Sequence, residues 1–326
     1  MKMEHVIALD VGGTGMKAAL VAPDGTLLHE ERRATTRPSL GQEAVVRGIL
    51  DFAGDLRAAG LERLGAPAAA AGAVVPGTID EAAGTAVFSA NLGWRDVPLR
   101  ALLAERLGLP EAAVALGHDV RAGALAEGRL GAGRGVDRFL FIALGTGIAG
   151  GLGIDGRIEA GAHGCGGEIG HVVVRPGGAA CGCGQRGCLE TVASAGAVSR
   201  AWARAGGRPD ADAADCARAV EAGDPAARAV WDEAVAALAD GIVIAQSLLD
   251  PAAVIIGGGL AEAGGTLLTP LRAAVLERLT FQRPPELVPA VLGDAAGCLG
   301  AGLLAWDAAG GTTLAAAEGT TEMRNE

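Results

Sequence analysis

The chain has 326 residues, half of them hydrophobic, which is enough for two domains of ordinary size with substantial cores. A formal net charge of −11 argues against a general nucleic-acid or anionic-membrane surface, although backbone N–H groups can hold phosphates even in an acidic protein. No basic-then-apolar leader opens the chain and no apolar run of membrane-spanning length lacks Gly or charge, so a cytoplasmic protein is expected.

Val6–Leu9 reads as a strand ending on Asp10. Gly12, Gly13 and Thr14 form a turn, Lys17–Val21 a second strand, Pro23-Asp24-Gly25 another turn, and Thr26–Arg33 a third strand. Helices over Gly41–Ala59 and Leu99–Leu107 follow, with strands over Ala70–Val75 and Ala113–Leu116. Asp119 stands between the last of these strands and a helical stretch, Val120–Glu127. The opening pattern then recurs: Phe139–Leu144 is apolar, Gly145-Thr146-Gly147 turns, Gly150–Ile154 is extended, and Asp155-Gly156 turns again. Two related halves are expected, Thr14 corresponding to Thr146 and Asp24 to Asp155. Beyond a cysteine-rich loop come helices over Ser194–Ala205 and Pro225–Leu249, a strand over Ala253–Ile256, a Gly257-Gly258-Gly259 turn and a helix over Leu271–Leu279. Such alternation gives an α/β fold with mixed sheets. The Gly-, Thr- and Ala-rich stretch after Ala309 is expected to be disordered.

Asp10, Gly12, Gly13, Thr14 and Lys17 form the first chemical motif. A Gly-rich turn between strands presents consecutive N–H groups to phosphate oxygens, Thr14 adds a hydroxyl, and Asp10 can hold Mg²⁺ through water. Lys2 and Lys17 are the only lysines among 27 basic residues, and a lysine kept in so arginine-biased a chain suggests a compact point charge in use. The plain alternative is an ordinary hairpin with a surface lysine. The G-x-x-x-x-G-K-[ST] spacing is absent and no helix starts at Lys17, so this is not a Walker loop. Gly145-x-Gly147-x-x-Gly150 matches the dinucleotide fingerprint only formally, because a strand rather than a helix follows it. A second phosphate cradle, with Thr146 at its tip, is the better reading. Gly257 and Gly258 either approach a nucleoside or form a plain strand-to-helix turn.

Four of the six cysteines fall between Cys165 and Cys188. His171, Cys181, Cys183 and Cys188 supply one imidazole and three thiolates within a glycine-rich loop, the donor set of a closed tetrahedral Zn²⁺ site. The alternative is a reduced, metal-free loop. Cys165 lies outside this pattern, while Cys216 and Cys298 sit in helical runs and read as small buried hydrophobes.

These motifs together resemble the ROK sugar kinases of the actin-like ATPase superfamily. The resemblance rests on Asp10–Lys17, Pro76-Gly77, Asn91-Leu92-Gly93-Trp94, His118-Asp119, Leu144–Gly151, Glu168-Ile169-Gly170-His171, Cys181–Glu190 and Ile255–Gly259, in the family's order. It implies a two-domain actin-like ATPase (ribonuclease H-like) fold with a sugar/ATP cleft between the domains. Residues 1–118 would form the small domain, rejoined by a helix near 295–308, and 119–294 the large one. It further implies that Asp119 is the catalytic base and that Asn91, His118, Glu168, His171 and Glu190 line the sugar. His171 would bind zinc with one ring nitrogen and face the sugar with the other. On residues alone, Asp119 could equally be a helix N-cap. The family usually carries Asn where this chain has His118, a bulkier and titratable group that bears on substrate choice.

The expected reaction is ATP- and Mg²⁺-dependent phosphorylation of a hexose, glucose first, with structural Zn²⁺ and a homo-oligomeric (dimer or tetramer) assembly. N-acetylmannosamine or N-acetylglucosamine is the main rival substrate and polyphosphate the rival donor. A sugar-responsive repressor is disfavoured, because the few residues before the first strand leave no room for a helix-turn-helix domain. A sugar-binding protein without catalysis is disfavoured by Asp119 and the paired turns.

Overall fold

The computed structural model describes residues 3–310. They form two compact units: one runs through Arg129 and resumes at Ala295, and the other is Leu130–Asp294.

The first unit is built on a five-stranded sheet. β1 (Val6–Val11), β2 (Gly15–Val21) and β3 (Leu27–Ala34) form an antiparallel meander. After α1 (Gln42–Leu64), β4 (Ala71–Val75) pairs with β1 in parallel. β5 (Thr78–Asp80), β6 (Thr85–Ser89) and β7 (Trp94–Val97) make a separate three-stranded sheet. α2 (Leu99–Leu107) leads to β8 (Val114–His118), parallel to β4, and α3 (Asp119–Leu130) follows without a loop. The sheet order is β3-β2-β1-β4-β8. Successive strand residues face opposite ways. Ile7, Leu9 and Val11 accordingly join a core with Val45, Ile49, Phe52 and Leu56 of α1, whereas Val6 and Ala8 pack on the other face. The edge strand β3 carries His29, Glu30, Glu31, Arg32 and Arg33, charges that discourage pairing with a foreign strand.

The second unit repeats the plan. β9 (Arg138–Leu144), β10 (Ile148–Ile154) and β11 (Arg157–Glu159) form the meander. The chain then passes through the cysteine loop into α4 (Glu190–Ala193), α5 (Ala195–Ala205), α6 (Ala213–Glu221) and α7 (Pro225–Leu249). Asp224 caps α7, accepting the N–H groups of Ala226 and Ala227 at 2.8 and 3.0 Å, with Pro225 at the first helical position. β12 (Ala253–Gly257) is buried at every position, as befits a parallel strand covered on both faces. α8 (Gly265–Arg278) and β13 (Glu286–Pro289) complete the unit. Its sheet order, β11-β10-β9-β12-β13, reproduces that of the first unit strand for strand. The repeat read from two Gly-Thr hairpins is thus a repeat of whole sheets.

α9 (Ala296–Ala308) belongs to the first unit and packs on β1 and β4. It is apolar nearly all round, burying Cys298, Ala301, Ala305 and Trp306 against Val6, Ala8 and Ala122. The approach is so close that a Cβ on Gly72 would lie 2.0 Å from the Ala301 carbonyl oxygen. Arg129 of α3 grips Asp307 with two bonds of 2.8 and 2.9 Å, and Ala122 packs beside Cys298. α3 is thereby part of the first unit, which extends past residue 118 to Arg129.

Among the described residues, no helix is long and apolar enough to cross a membrane. Ala309 and Gly310 are still hydrogen-bonded to the end of α9, and the rest of the tail expected to be disordered lies outside the described residues. Several features depart from the sequence reading, and α6 and β13 have no counterpart in it. The β5–β7 sheet was not expected, because its strands are three to five residues long and partly exposed. α8 starts before Leu271, at Gly265, and carries Pro270 within it.

Candidate active site

In the first unit, Asp10 and Lys17 are register partners across the β1–β2 hairpin. The turn between them closes with Gly12 N–H donating to the Gly15 carbonyl at 2.9 Å, and it leaves Thr14 exposed at the tip. Thr35 braces it from β3's end, donating its hydroxyl to the Gly12 carbonyl at 2.6 Å and its N–H to the Thr14 carbonyl at 3.1 Å. Asn91 lies against this turn, since a Cβ on Gly13 would come 3.1 Å from the Asn91 Cβ. The Asp10 carboxylate meets the first turn of α9. A Cβ on Gly297 would lie 2.2 Å from Asp10 Oδ2, so only glycine leaves that carboxylate its place. Cys298 follows, its thiol pushed up to about 12 by burial and then by the Asp10 charge. This keeps it a neutral core residue beside the site.

His118 ends β8 and Asp119 opens α3. Asp119 Oδ1 accepts the Val120 N–H at 2.7 Å, and the same N–H lies 3.2 Å from His118 Nδ1. His118 Nδ1 is itself 3.3 Å from Asp119 Oδ1. One carboxylate oxygen is therefore engaged by its own helix start and by the imidazole. The His118 side chain is only 11% exposed against 29% for Asp119.

In the second unit, the Gly145–Gly147 turn closes with Gly145 N–H donating to the Gly147 carbonyl at 3.0 Å and exposes Thr146. Three elements converge on it. Glu190 Oε2 accepts the Ile148 N–H at 2.9 Å. Ala195, opening α5 beneath the Ser194 cap, donates its N–H to the Gly145 carbonyl at 2.9 Å. Gly258, with φ +83°, crosses the end of β9 so closely that a Cβ would lie 2.6 Å from the Leu144 backbone. Gly258 thus passes beside the start of this turn, while a Cβ on Gly257 would meet the Phe141 ring and Ala290.

Glu168 precedes a short 3₁₀ turn, Ile169–His171, laid along β10, and His171 is its last residue. His171 Nδ1 points to Cys181 Sγ at 3.6 Å, while its Nε2 lies 3.8 Å from Glu168 Oε2. Cys183 and Cys188 are 3.7 Å apart, and the four ligand atoms all lie within 4.8 Å of one another. A tetrahedral site with bonds of about 2.0–2.3 Å needs neighbouring ligand atoms about 3.3–3.8 Å apart; the His171–Cys181 and Cys183–Cys188 separations fall in that range, and one imidazole with three thiols is a donor set that suits Zn²⁺. Burial, then Cys183 and Cys181, push Cys188 up to about 12, while the Gln185 backbone N–H holds Cys183 below its ordinary value. Cys165 is exposed and lies outside the cluster.

The predicted residues thus assemble in two groups. Asp10, Gly12, Gly13, Thr14, Lys17, Asn91, His118 and Asp119 are in the first unit. Gly145, Thr146, Gly147, Glu168, His171, Glu190, Gly257, Gly258 and the cysteines are in the second. Sequence reasoning missed Thr35, Gly297 and Arg175. Arg175 fastens the cysteine loop to α7 through Glu233 and Asp240, at 2.7 and 2.6 Å. None of the three stands in a patterned motif, and each acts through a partner distant in sequence.

Two sheets of one topology, each opening on a Gly-Thr turn, define a two-domain actin-like fold. The ROK family model matches residues 6–308. The glucokinase of Thermotoga maritima is 37% identical over 322 residues, covering 94% of this chain and 98% of that protein. The crystal structure of a ROK hexokinase from Thermus thermophilus shares 36% identity at a TM-score of 0.81, covering 93% of this chain and 98% of that one. A ROK family glucokinase from Streptomyces griseus, solved in complex with glucose and AMPPNP, shares 31% identity at a TM-score of 0.77, covering 93% and 99%. This chain belongs to the ROK family.

Proposed function

We propose that the protein is a sugar kinase that transfers the terminal phosphoryl group of ATP to the 6-hydroxyl of glucose. Its kinship with glucokinases along nearly its whole length supports the reaction. The observation that carries the chemistry is the environment of Asp119, a half-buried carboxylate with Oδ1 engaged by the Val120 N–H. Oδ2 is then the oxygen for a sugar hydroxyl, accepting its proton as the oxygen attacks phosphorus.

The remaining roles follow from chemical type. The N–H groups and hydroxyls of Gly12–Thr14 and Gly145–Gly147 suit phosphate oxygens. Lys17 adds a point charge, and Gly257 and Gly258 admit the nucleoside. Asp10 would hold Mg²⁺ through water, and that ion supplies neutralisation of the phosphate charge when bound. Asn91, His118, Glu168, His171 and Glu190 would bind the sugar. Cys181, Cys183, Cys188 and His171 Nδ1 would hold a structural Zn²⁺, leaving Nε2 beside Glu168 to meet a hydroxyl. A cytoplasmic setting suits the unpaired thiols.

The test is a panel of glucose, mannose and N-acetylated hexosamines with ATP and Mg²⁺, read as ADP release. Hexose-dependent release led by glucose is expected. Equal release with no sugar would sink the kinase reading, and a lead by an N-acetylated hexosamine would replace the substrate.

A further inference from the structure

Glu190 commits one oxygen to the Gly-Thr turn. Its Oε2 accepts the Ile148 N–H at 2.9 Å, and a Cβ on Gly147 would lie 2.4 Å from that oxygen but 3.9 Å from Oε1. One oxygen is thus pressed onto the Gly-Thr turn while the other is held further off. Binding a sugar hydroxyl does not require such an anchor.

The segment around it extends the connection. Cys188 belongs to the four-ligand cluster. Leu189 N–H donates to the carbonyl of Val172, the residue after His171, at 2.9 Å. Glu190 follows, then the Ser194 cap, then Ala195, whose N–H donates to the Gly145 carbonyl at 2.9 Å. A Cβ on Gly196 would lie 2.8 Å from the Thr146 carbonyl oxygen. Between Cys188 and Gly196 the chain therefore runs from the cysteine cluster to the turn and touches it at three places. A turn with two glycines is loose by itself, and its N–H groups bind phosphate well only if their directions are fixed beforehand. An ionised carboxylate accepting a backbone N–H is about twice as strong as a neutral bond of that kind.

We propose that Glu190 is a positioning residue for the second phosphate turn as well as a sugar ligand. Its carboxylate, on a segment anchored at the cysteine cluster, fixes the Gly145–Gly147 backbone in the form that receives nucleotide phosphates. This rests on the reading of that turn as a phosphate site.

The test measures binding of a non-hydrolysable ATP analogue with Mg²⁺, without sugar, by calorimetry. Glu190→Ala should weaken the analogue about tenfold, the scale of one charge-assisted hydrogen bond. Glu190→Gln keeps an oxygen for the Ile148 N–H, so it should stay within about threefold of wild type for the analogue while losing glucose affinity. Hydrogen exchange at the Ile148 amide should quicken in Glu190→Ala and stay slow in Glu190→Gln. Should the Ala variant not fold, the Gln variant and Gly147→Ala, which crowds the same contact from the turn side, carry the comparison. Thr146→Ala reports separately on the turn and should also weaken the analogue. Wild-type analogue affinity in Glu190→Ala, with Thr146→Ala weakened, would leave Glu190 a sugar ligand only. Wild-type affinity in Thr146→Ala would overturn the phosphate reading of the turn and this proposal with it.

Discussion

Replacing Gly297 by Ala adds one methyl group at the first turn of α9, where the Asp10 carboxylate rests. The new Cβ would lie 2.2 Å from Oδ2 and 2.5 Å from Cγ, against a comfortable carbon–oxygen separation of about 3.4 Å. The carboxylate must therefore retreat by about 1 Å, which it can do by rotating its short side chain. The helix itself gains from the change, because Ala is favoured over Gly by about 0.8–1.0 kcal/mol in a helix interior and somewhat less at its first turn. Stability and activity are thus predicted to separate. Thermal unfolding should stay within a few degrees of wild type, while kcat falls about a hundredfold, the scale of a 1 Å misplacement at a catalytic centre. The assay is ADP release at saturating glucose across a Mg²⁺ titration, with the midpoint expected to rise. Wild-type kcat and Mg²⁺ midpoint in a folded Gly297→Ala protein would refute the role given to Asp10.

Three further outcomes are expected. Elemental analysis should find about one zinc per chain, as one four-ligand site requires, and Cys183→Ser should lose metal and glucose affinity together; a metal-free protein of full activity would break that link. His118→Asn should reorder glucose, mannose and the N-acetylated hexosamines by kcat/KM while keeping activity, since losing or gaining one hydrogen bond shifts binding by about 0.5–1.5 kcal/mol; an unchanged ranking would remove His118 from substrate choice. Burial raises the Asp240 carboxyl, but bonds from Arg175 and Arg278 outweigh it and hold it below its ordinary value of 3.8. Its contribution to stability is therefore full above the carboxylate range and lost as pH falls through the lowered folded value. Asp240→Asn should cost about 1 kcal/mol at neutral pH, allowing for solvent screening, and flatten acid unfolding, whereas an unchanged acid limb would show the network to be idle.

Much of this was legible in the sequence because it was local. The two Gly-Thr hairpins, the His-and-cysteine loop and the helices Leu99–Leu107 and Pro225–Leu249 are contiguous patterns that short-range geometry decides. What escaped was non-local. Gly297 looks like any helical glycine until β1 brings Asp10 against it. Thr35 is one threonine in a loop until its hydroxyl reaches Gly12. Glu190 reads as a carboxylate beside a metal loop, and only the fold shows one oxygen on the Ile148 amide. The choice between base and cap at Asp119 is likewise not a local matter. Its Oδ1 accepts the Val120 N–H at the helix start, an interaction that both readings accommodate.

The central claim is that Asp119 accepts the proton of the sugar hydroxyl during phosphoryl transfer. The direct measurement is kcat for glucose phosphorylation by Asp119→Asn, with glucose affinity determined by calorimetry on the same preparation. The variant keeps size and hydrogen bonding but cannot take the proton. The account predicts that kcat falls by about 10²–10⁴, the usual contribution of a general base, while glucose affinity stays within a few-fold of wild type. Near-wild-type turnover in a variant that binds glucose normally would contradict it and leave Asp119 as a helix cap.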